Sequence, residues 1–120
     1  IDLDPQGHAT DGLGHANLYE ADRLSLFDVL PDLDALDRLD QLVVEHPEMD
    51  LVPSHEAMIN AEDELAGAMK REERLRMLLD GSDSQWDHVL IDCPPNLGVL
   101  VDNAIVAAPN VLIPAQAKTT

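Results

Sequence analysis

The chain has 120 residues, of which 24 are Asp or Glu and seven are Lys or Arg, so its formal net charge is −17. A surface this acidic repels phosphate backbones, which makes the chain a poor candidate for gripping nucleic acid by itself. No apolar run approaches the roughly 18 residues of a membrane span, so we expect no membrane association. Hydrophobic residues make up 45% of the chain and aromatic residues 2%, which predicts one folded domain with an aliphatic core.

The strength of the acidic excess favours a salt-adapted protein. High net charge maintains solubility at the cost of self-repulsion, and concentrated salt screens that repulsion. We therefore expect a halophilic, haloarchaeal-like protein; an ordinary acidic domain is the alternative. The single Cys93 excludes an internal disulfide and fits the reducing cytoplasm. Because the sequence opens on Ile1 in the middle of a motif, we expect an internal fragment of a longer protein.

The first third of the chain predicts a strand end, a turn-rich segment and a capped helix. Ile1 and Leu3 are typical of a strand that ends at Pro5, because proline cannot donate to a strand ladder. Ser25 is a favourable helix N-cap, and Pro31 ends that helix.

The middle of the chain predicts two further helical stretches around a short strand. Leucines at helical spacing predict a helix over residues 34–46, and residues 49–52 are expected to form a strand. Residues 57–79 are expected to be helical with a break near Gly67. Their arginines alternate with glutamates and are expected on a solvated face: Arg71, Arg74 and Arg76.

The last third predicts two buried strands around an amphipathic helix. The runs at residues 89–91 and 111–113 are wholly aliphatic, as expected for strands covered on both faces. Between them Asn96 is the expected helix cap. The apolar stripe of that helix comprises Leu97, Leu100, Val101, Ala104, Ile105 and Ala108. The alternation of strands and helices predicts an α/β fold with a doubly wound parallel sheet.

Acidic residues follow two of the predicted strands. Asp2 and Asp4 lie at the end of the first strand, and Asp92 follows the strand at residues 89–91. Ligands of open parallel sheets bind beyond the carboxyl ends of the strands. Carboxylates there suit a hydrated Mg²⁺ bearing a nucleotide phosphate, and a second carboxylate can orient an attacking water.

Each acidic motif is weak evidence when it is taken alone. An Asp at a strand end is often only a cap for the next turn. The Asp-x-Asp pattern also occurs in glycosyltransferases and in haloacid-dehalogenase-type phosphatases. Gln6 stands where those phosphatases usually have Thr or Val, which argues against that class.

The combination of motifs is more specific. Residues 2–10, DLDPQGHAT, and residues 89–98, VLIDCPPNLG, resemble two segments of the ParA/Soj-type chromosome and plasmid partition ATPases, a deviant Walker-A class of P-loop proteins. Residues 102–116 also resemble the helix and strand that follow in that family. The resemblance covers essentially residues 1–120, which are expected to form a single partial nucleotide-binding domain, from the Walker-A-type segment to the strand after Walker B.

The resemblance implies a role for each matching residue. Asp4 would orient the hydrolytic water, Asp2 would lie in the outer shell of Mg²⁺, and Asp92 would hold Mg²⁺ through water. The remaining residues would form two nucleotide-sensing switches: Pro5, Gln6 and Gly7 in the first, and Pro94, Pro95 and Gly98 in the second. His8 departs from the family's usual Asn, and a tolerated loop substitution is the simplest interpretation.

The resemblance further implies a fold, cofactors and partners. The parent protein would have a P-loop NTPase sheet, would bind ATP and Mg²⁺, and would form a homodimer through bound ATP. It would associate with DNA non-specifically through regions outside this fragment, respond to a ParB-like partner and be nucleoid-associated in the cytoplasm.

The glycine-rich loop bearing a phosphate-binding lysine is absent from residues 1–120. The first strand with that loop and the C-terminal part of the domain are therefore expected to be missing, and the fragment alone is expected to be inactive. Two alternatives stay open: a non-catalytic regulatory or docking module on the same fold, and another deviant Walker-A ATPase with a different cargo.

Overall fold

The computed structural model describes residues 1–117 of the chain. Short helices and turns account for most of the regular structure. The α-helices are α1 (His8–Gly12), α2 (Leu26–Val29), α3 (Leu39–Leu42), α4 (Ala61–Ala66), α5 (Arg74–Asp80) and α6 (Val99–Ala107). Single 3-10 turns cover Ala16–Leu18, Leu33–Ala35, Glu56–Asn60 and Arg71–Glu73. No helix among these described residues is long and apolar enough to cross a membrane.

Three hydrogen-bonded segments form the centre of the fold. Asp2 and Asp92 form a parallel bridge. On one side, the amide of Leu3 donates to the carbonyl of Asp92 at 2.9 Å, and the Asp92 amide donates to the carbonyl of Ile1 at 2.8 Å. On the other side, the amide of Asp2 donates to the carbonyl of Val52 at 2.9 Å. The N-terminal segment therefore lies between the two others, and the architecture is α/β as predicted.

The paired strands of the described residues form a β-hairpin, of which the sequence predicted only the second strand. β1 (Val44–His46) pairs antiparallel with β2 (Met49–Leu51), so the expected strand at residues 49–52 is confirmed. The expected helix over residues 34–46 is wrong, because it separates into a 3-10 turn, α3 and β1. β-branched residues favour a strand, and two of them follow α3 directly, at Val43 and Val44.

The two aliphatic runs of the last third do not form buried strands. Val89 is 41% exposed and Leu90 is 78% exposed. Leu112 is 90% exposed, and residues 111–113 have no regular structure. A strand becomes buried on both faces only where neighbouring layers cover it, and in residues 1–117 only Ile91 of these two runs packs against the core.

The core lies where the helices pack against the central segment. The predicted N-cap at Ser25 is confirmed, and the Ser25 amide also donates to Asp28 Oδ2 at 2.8 Å. The break near Gly67 is also confirmed, because Gly67 ends α4. Most fully buried side chains of the core are aliphatic, as predicted, and they include Leu3, Leu26, Leu65, Leu75 and Leu78.

Two predictions of which side chains are exposed and which are buried are wrong. Arg74 is 2% exposed, because its guanidinium donates to the carbonyls of Leu30 and Pro31 at 3.1 and 3.0 Å. The buried face of α6 is also rotated from the expected stripe, since Leu97 is 93% exposed and Ile105 is 55% exposed. That buried face consists of Val99, Leu100, Asn103 and Ala104.

Candidate functional site

Three aspartates meet at one edge of the central parallel segments. Asp2 and Asp92 are bridge partners on neighbouring segments, and Asp4 lies two residues beyond Asp2. The charges of Asp2 and Asp4 act directly on Asp92, where both raise the pKa of its carboxyl. Parallel segments end at the same edge, so the backbone pairing is what brings these acids from the two ends of the sequence together.

Asp2 is a buried carboxylate that organises the loop after it. Asp2 is only 1% exposed. Oδ2 accepts hydrogen bonds from the amide and the hydroxyl of Thr10 at 2.8 and 2.6 Å, and Oδ1 accepts one from the Asp4 amide at 3.2 Å. A buried charge needs such partners to offset its lost hydration. Both oxygens of Asp2 are therefore engaged in holding the chain between residues 4 and 10.

The side chain of Asp4 accepts fewer hydrogen bonds than its backbone carbonyl does. Its carbonyl accepts hydrogen bonds from Ser54 Oγ at 2.7 Å and from the Gly7 amide at 3.0 Å. Its Oδ1 accepts a hydrogen bond from the Gln6 amide at 3.0 Å. Among residues 1–117, the structure gives no hydrogen bond to Oδ2 of Asp4. The backbone of Asp4 is thus fixed while one carboxylate oxygen keeps its capacity to accept a hydrogen bond.

The turn at residues 5–7 requires glycine at its last position. Gly7 has a φ of 65°, in the left-handed region, and precedes α1. A Cβ atom at this position would lie 2.7 Å from the ring of Tyr19. The hydroxyl of Tyr19 donates to the carbonyl of Pro5 at 2.6 Å, so one tyrosine packs against the turn and bonds to it. Gln6 is exposed at its tip.

The second motif presents an exposed acid in front of a partly buried turn. Asp92 is exposed, Pro94 is buried and Pro95 is exposed. Desolvation by surrounding atoms raises the pKa of Asp92, and the negative charges of Asp2 and Asp4 raise it further. Gly98 is the N-cap of α6. Desolvation and the charges of Asp2 and Asp4 therefore disfavour the ionised carboxylate of Asp92, an effect that the N-terminal ammonium group and His8 partly oppose.

The structure adds three residues that the sequence analysis did not single out for the site: Thr10, Tyr19 and Ser54. Thr10 is fully buried, and its hydroxyl also accepts the Ser54 amide at 2.9 Å. Thr10 was within the motif at residues 2–10, which was a usable signal. Nothing local pointed to Ser54 or Tyr19, because both act through contacts distant in sequence.

The site thus combines acidic groups with a glycine turn beyond the ends of the central segments. The family model described as an AAA domain (AAA_31) matches residues 1–120, and the chain belongs to this family.

Two curated relatives confirm the predicted resemblance to ParA/Soj-type proteins. Sporulation initiation inhibitor protein Soj of Bacillus subtilis is 38% identical over 120 residues, which cover 98% of this chain and 46% of Soj. Chromosome partitioning protein ParA of Caulobacter vibrioides is 37% identical over 124 residues, covering 98% of this chain and 44% of that protein. The chain thus spans less than half the length of these relatives.

A solved structure confirms the predicted fold class. Cobyrinic acid a,c-diamide synthase from Mycobacterium smegmatis, with bound ATP analog and magnesium, superposes with a TM-score of 0.77 at 38% identity. The match covers 89% of this chain and 42% of the synthase. The described chain is therefore part of a P-loop NTPase fold, in which a single bridge and its flanking hydrogen bonds represent the parallel sheet.

Proposed function

We propose that the chain is the central part of a Mg²⁺-dependent ATPase of the ParA/Soj partition type, acting in chromosome or plasmid segregation. The observation that carries the proposal is the convergence of Asp2, Asp4 and Asp92 at one edge of the parallel segments, within a sequence similar to partition proteins. The complete protein would dimerise through bound ATP, associate with DNA and hydrolyse ATP under stimulation by a ParB-like partner.

The donor set fits a hydrated magnesium ion. No group of three or more His, Cys, Asp or Glu side chains in the described part of the chain is arranged to hold a metal directly. Magnesium commonly keeps several waters and is held by one or two carboxylates plus substrate phosphates. Asp92 would hold such an ion through water, and Asp2 would support its outer shell. The bound ion would neutralise charge that develops on the transferred phosphate.

Asp4 is the residue proposed to place the hydrolytic water. Its backbone is fixed by Ser54 and Gly7, and its Oδ2 atom is open to a hydrogen bond from water. Phosphoryl transfer depends mainly on positioning and electrostatic stabilisation, so a fixed acceptor is the contribution this loop can make. Two switches would sense the γ-phosphate. The first is the turn at Pro5, Gln6 and Gly7, and the second is the segment that contains Pro94, Pro95 and Gly98.

DNA association is assigned to parts of the protein outside residues 1–120. The net charge of this chain is −17, and a phosphate backbone is bound chiefly by positive charge. The likeness to cobyrinic acid a,c-diamide synthase favours one second candidate, an ATP-dependent enzyme with another substrate. Stimulation of hydrolysis by DNA together with a ParB-like protein supports partition, whereas the second candidate predicts no such response.

The test of the proposed chemistry is Asp4→Ala in the complete protein. We expect ATP binding to be retained and phosphate release in a single-turnover assay to fall by about a hundredfold or more, because the water loses its acceptor. Asp11→Ala, an exposed acid on α1, is the matched control and should release phosphate normally. Normal release by Asp4→Ala would exclude the role assigned to this residue. The isolated chain should show no Asp4-dependent turnover, because it lacks a phosphate-binding loop.

A further inference from the structure

The start of α6 is capped by a side chain from another helix. The amides of Val99 and Leu100 donate to the Glu62 carboxylate, at 2.8 Å to Oε2 and 3.3 Å to Oε1. The first amides of a helix have no partner inside the helix, and an acidic group satisfies them while complementing the helix dipole. Glu62 lies on α4, 37 residues before Val99, so this cap is a tertiary contact between two helices.

Gly98 is the position that makes room for this contact. A Cβ atom at Gly98 would lie 2.5 Å from Oε1 of Glu62 and 2.9 Å from its Cδ. The backbone there is extended, with a φ of −172°, so the conformation is open to any residue. Glycine is therefore required by the proximity of Glu62. Because the carboxylate is the end of a flexible side chain, a methyl group at Gly98 would displace it from the cap.

The capped end belongs to the segment that begins at the nucleotide site. Asp92 starts the segment, and Gly98 joins it to α6. Leu97, immediately before Gly98, is 93% exposed, so its side chain gives the segment little anchorage in the core. The hydrogen bonds from Glu62 therefore hold the far end of a segment whose near end is the bridge between Asp2 and Asp92.

We infer that Glu62 is a positioning residue, which fixes the segment from Asp92 to Gly98 in the conformation needed for ATP hydrolysis. The inference rests on the proposed function. Glu62 contacts Gly98 at the end of the second switch and makes no hydrogen bond to the three aspartates; it acts by determining where α6 begins and hence where the segment before it lies. Small displacements of groups around a reacting phosphate reduce the rate far more than they reduce nucleotide binding.

The experiment compares four variants of the complete protein: Glu62→Ala, Glu62→Gln, Gly98→Ala and the double variant of Glu62→Ala with Gly98→Ala. The matched control is Glu64→Ala, an exposed acid on the same helix α4. ATP hydrolysis gives kcat and KM, and hydrogen exchange reports the amides of Val99 and Leu100. Denaturant titration identifies any variant that does not fold, in which case the milder Glu62→Gln carries the comparison.

We expect Glu62→Ala to speed exchange at Val99 and Leu100 by about fivefold, as loss of a helix cap does. It should lower kcat by about tenfold while KM for ATP changes by less than about threefold. Gly98→Ala should reproduce both effects, and the double variant should be no worse than either single variant because both remove the same contact. Glu62→Gln, which keeps one acceptor oxygen, should fall between Glu62→Ala and the unmodified protein.

Three results would overturn the inference in distinguishable ways. If the unmodified protein hydrolyses ATP but Glu62→Ala lowers kcat no more than Glu64→Ala does, the contact is only structural and the positioning role is wrong. Additive losses in the double variant would likewise show that Gly98 and Glu62 act separately. If the unmodified complete protein does not hydrolyse ATP under any condition, the proposed function fails and the inference fails with it.

Discussion

Replacing Thr10 by valine tests the hydrogen-bond network that holds the aspartate loop. The Thr10 hydroxyl donates to Asp2 Oδ2 at 2.6 Å and accepts the Ser54 amide at 2.9 Å, and Thr10 is fully buried. Valine has nearly the same shape but removes both bonds. Serine, in contrast, keeps the hydroxyl and removes only a methyl group.

The two substitutions should differ clearly in stability. A hydrogen bond to a charged group contributes about 1.5–3 kcal/mol, and a buried amide left without a partner costs about 1–3 kcal/mol. Asp2 keeps the hydrogen bond from the Thr10 amide at 2.8 Å, so we expect Thr10→Val to cost about 3 kcal/mol. Thr10→Ser loses one buried methyl group, which costs about 1 kcal/mol.

Urea unfolding of the complete protein, followed by far-ultraviolet circular dichroism without nucleotide, measures both values. A domain of this kind has roughly 5–15 kcal/mol of stability, so a difference of about 2 kcal/mol between the variants is measurable. Equal destabilisation by valine and serine would refute the reasoning, because it would mean that the buried hydroxyl contributes nothing beyond its packing.

Two further predictions concern charge. Because the pKa of Asp92 is raised by desolvation and by Asp2 and Asp4, its ionised form costs stability above the folded-state pKa, and the cost vanishes below the unfolded value of about 3.9. Without Mg²⁺, Asp92→Asn should therefore be more stable than the unmodified protein at pH 7 but not at pH 3. A less stable Asp92→Asn at pH 7 would contradict this. The chain carries a net charge of −17, and the described residues form one ion pair, Glu73–Arg76. Molar KCl should therefore raise the urea midpoint by screening the repulsion between acidic groups. Greater stability at low salt would exclude the halophilic interpretation.

The sequence predicted the features that depend on local chemistry. The N-cap at Ser25 and the helix end at Gly67 follow from residue preferences within one turn. The meeting of Asp2 with Asp92 followed from a topological rule, because parallel strands share an edge at their carboxyl ends. The turn at Gly7 lies within the motif at residues 2–10, which the sequence had already indicated as part of the site.

The features that the sequence analysis missed depend on contacts made elsewhere in the chain. Leucine spacing around residues 34–46 fits a helix, yet the hairpin with residues 49–51 takes the last part of that stretch as a strand. Arg74 looked solvated among glutamates, but the backbone carbonyls of Leu30 and Pro31 accept its hydrogen bonds in the interior. The contacts of Tyr19 with the turn at Gly7 and of Glu62 with α6 likewise have no local signature.

The most direct test of the proposed site is to measure how the affinity for Mg·ATP changes when Asp92 is replaced. Titration calorimetry of the complete protein would compare Asp92→Asn with Asp87→Asn, each with Mg²⁺ present and with Mg²⁺ chelated. We expect Asp92→Asn to weaken binding by about tenfold or more in the presence of Mg²⁺ only, while Asp87→Asn binds as the unmodified protein does. Equal affinity of both variants with Mg²⁺ would contradict the claim that these aspartates surround one magnesium-bound nucleotide.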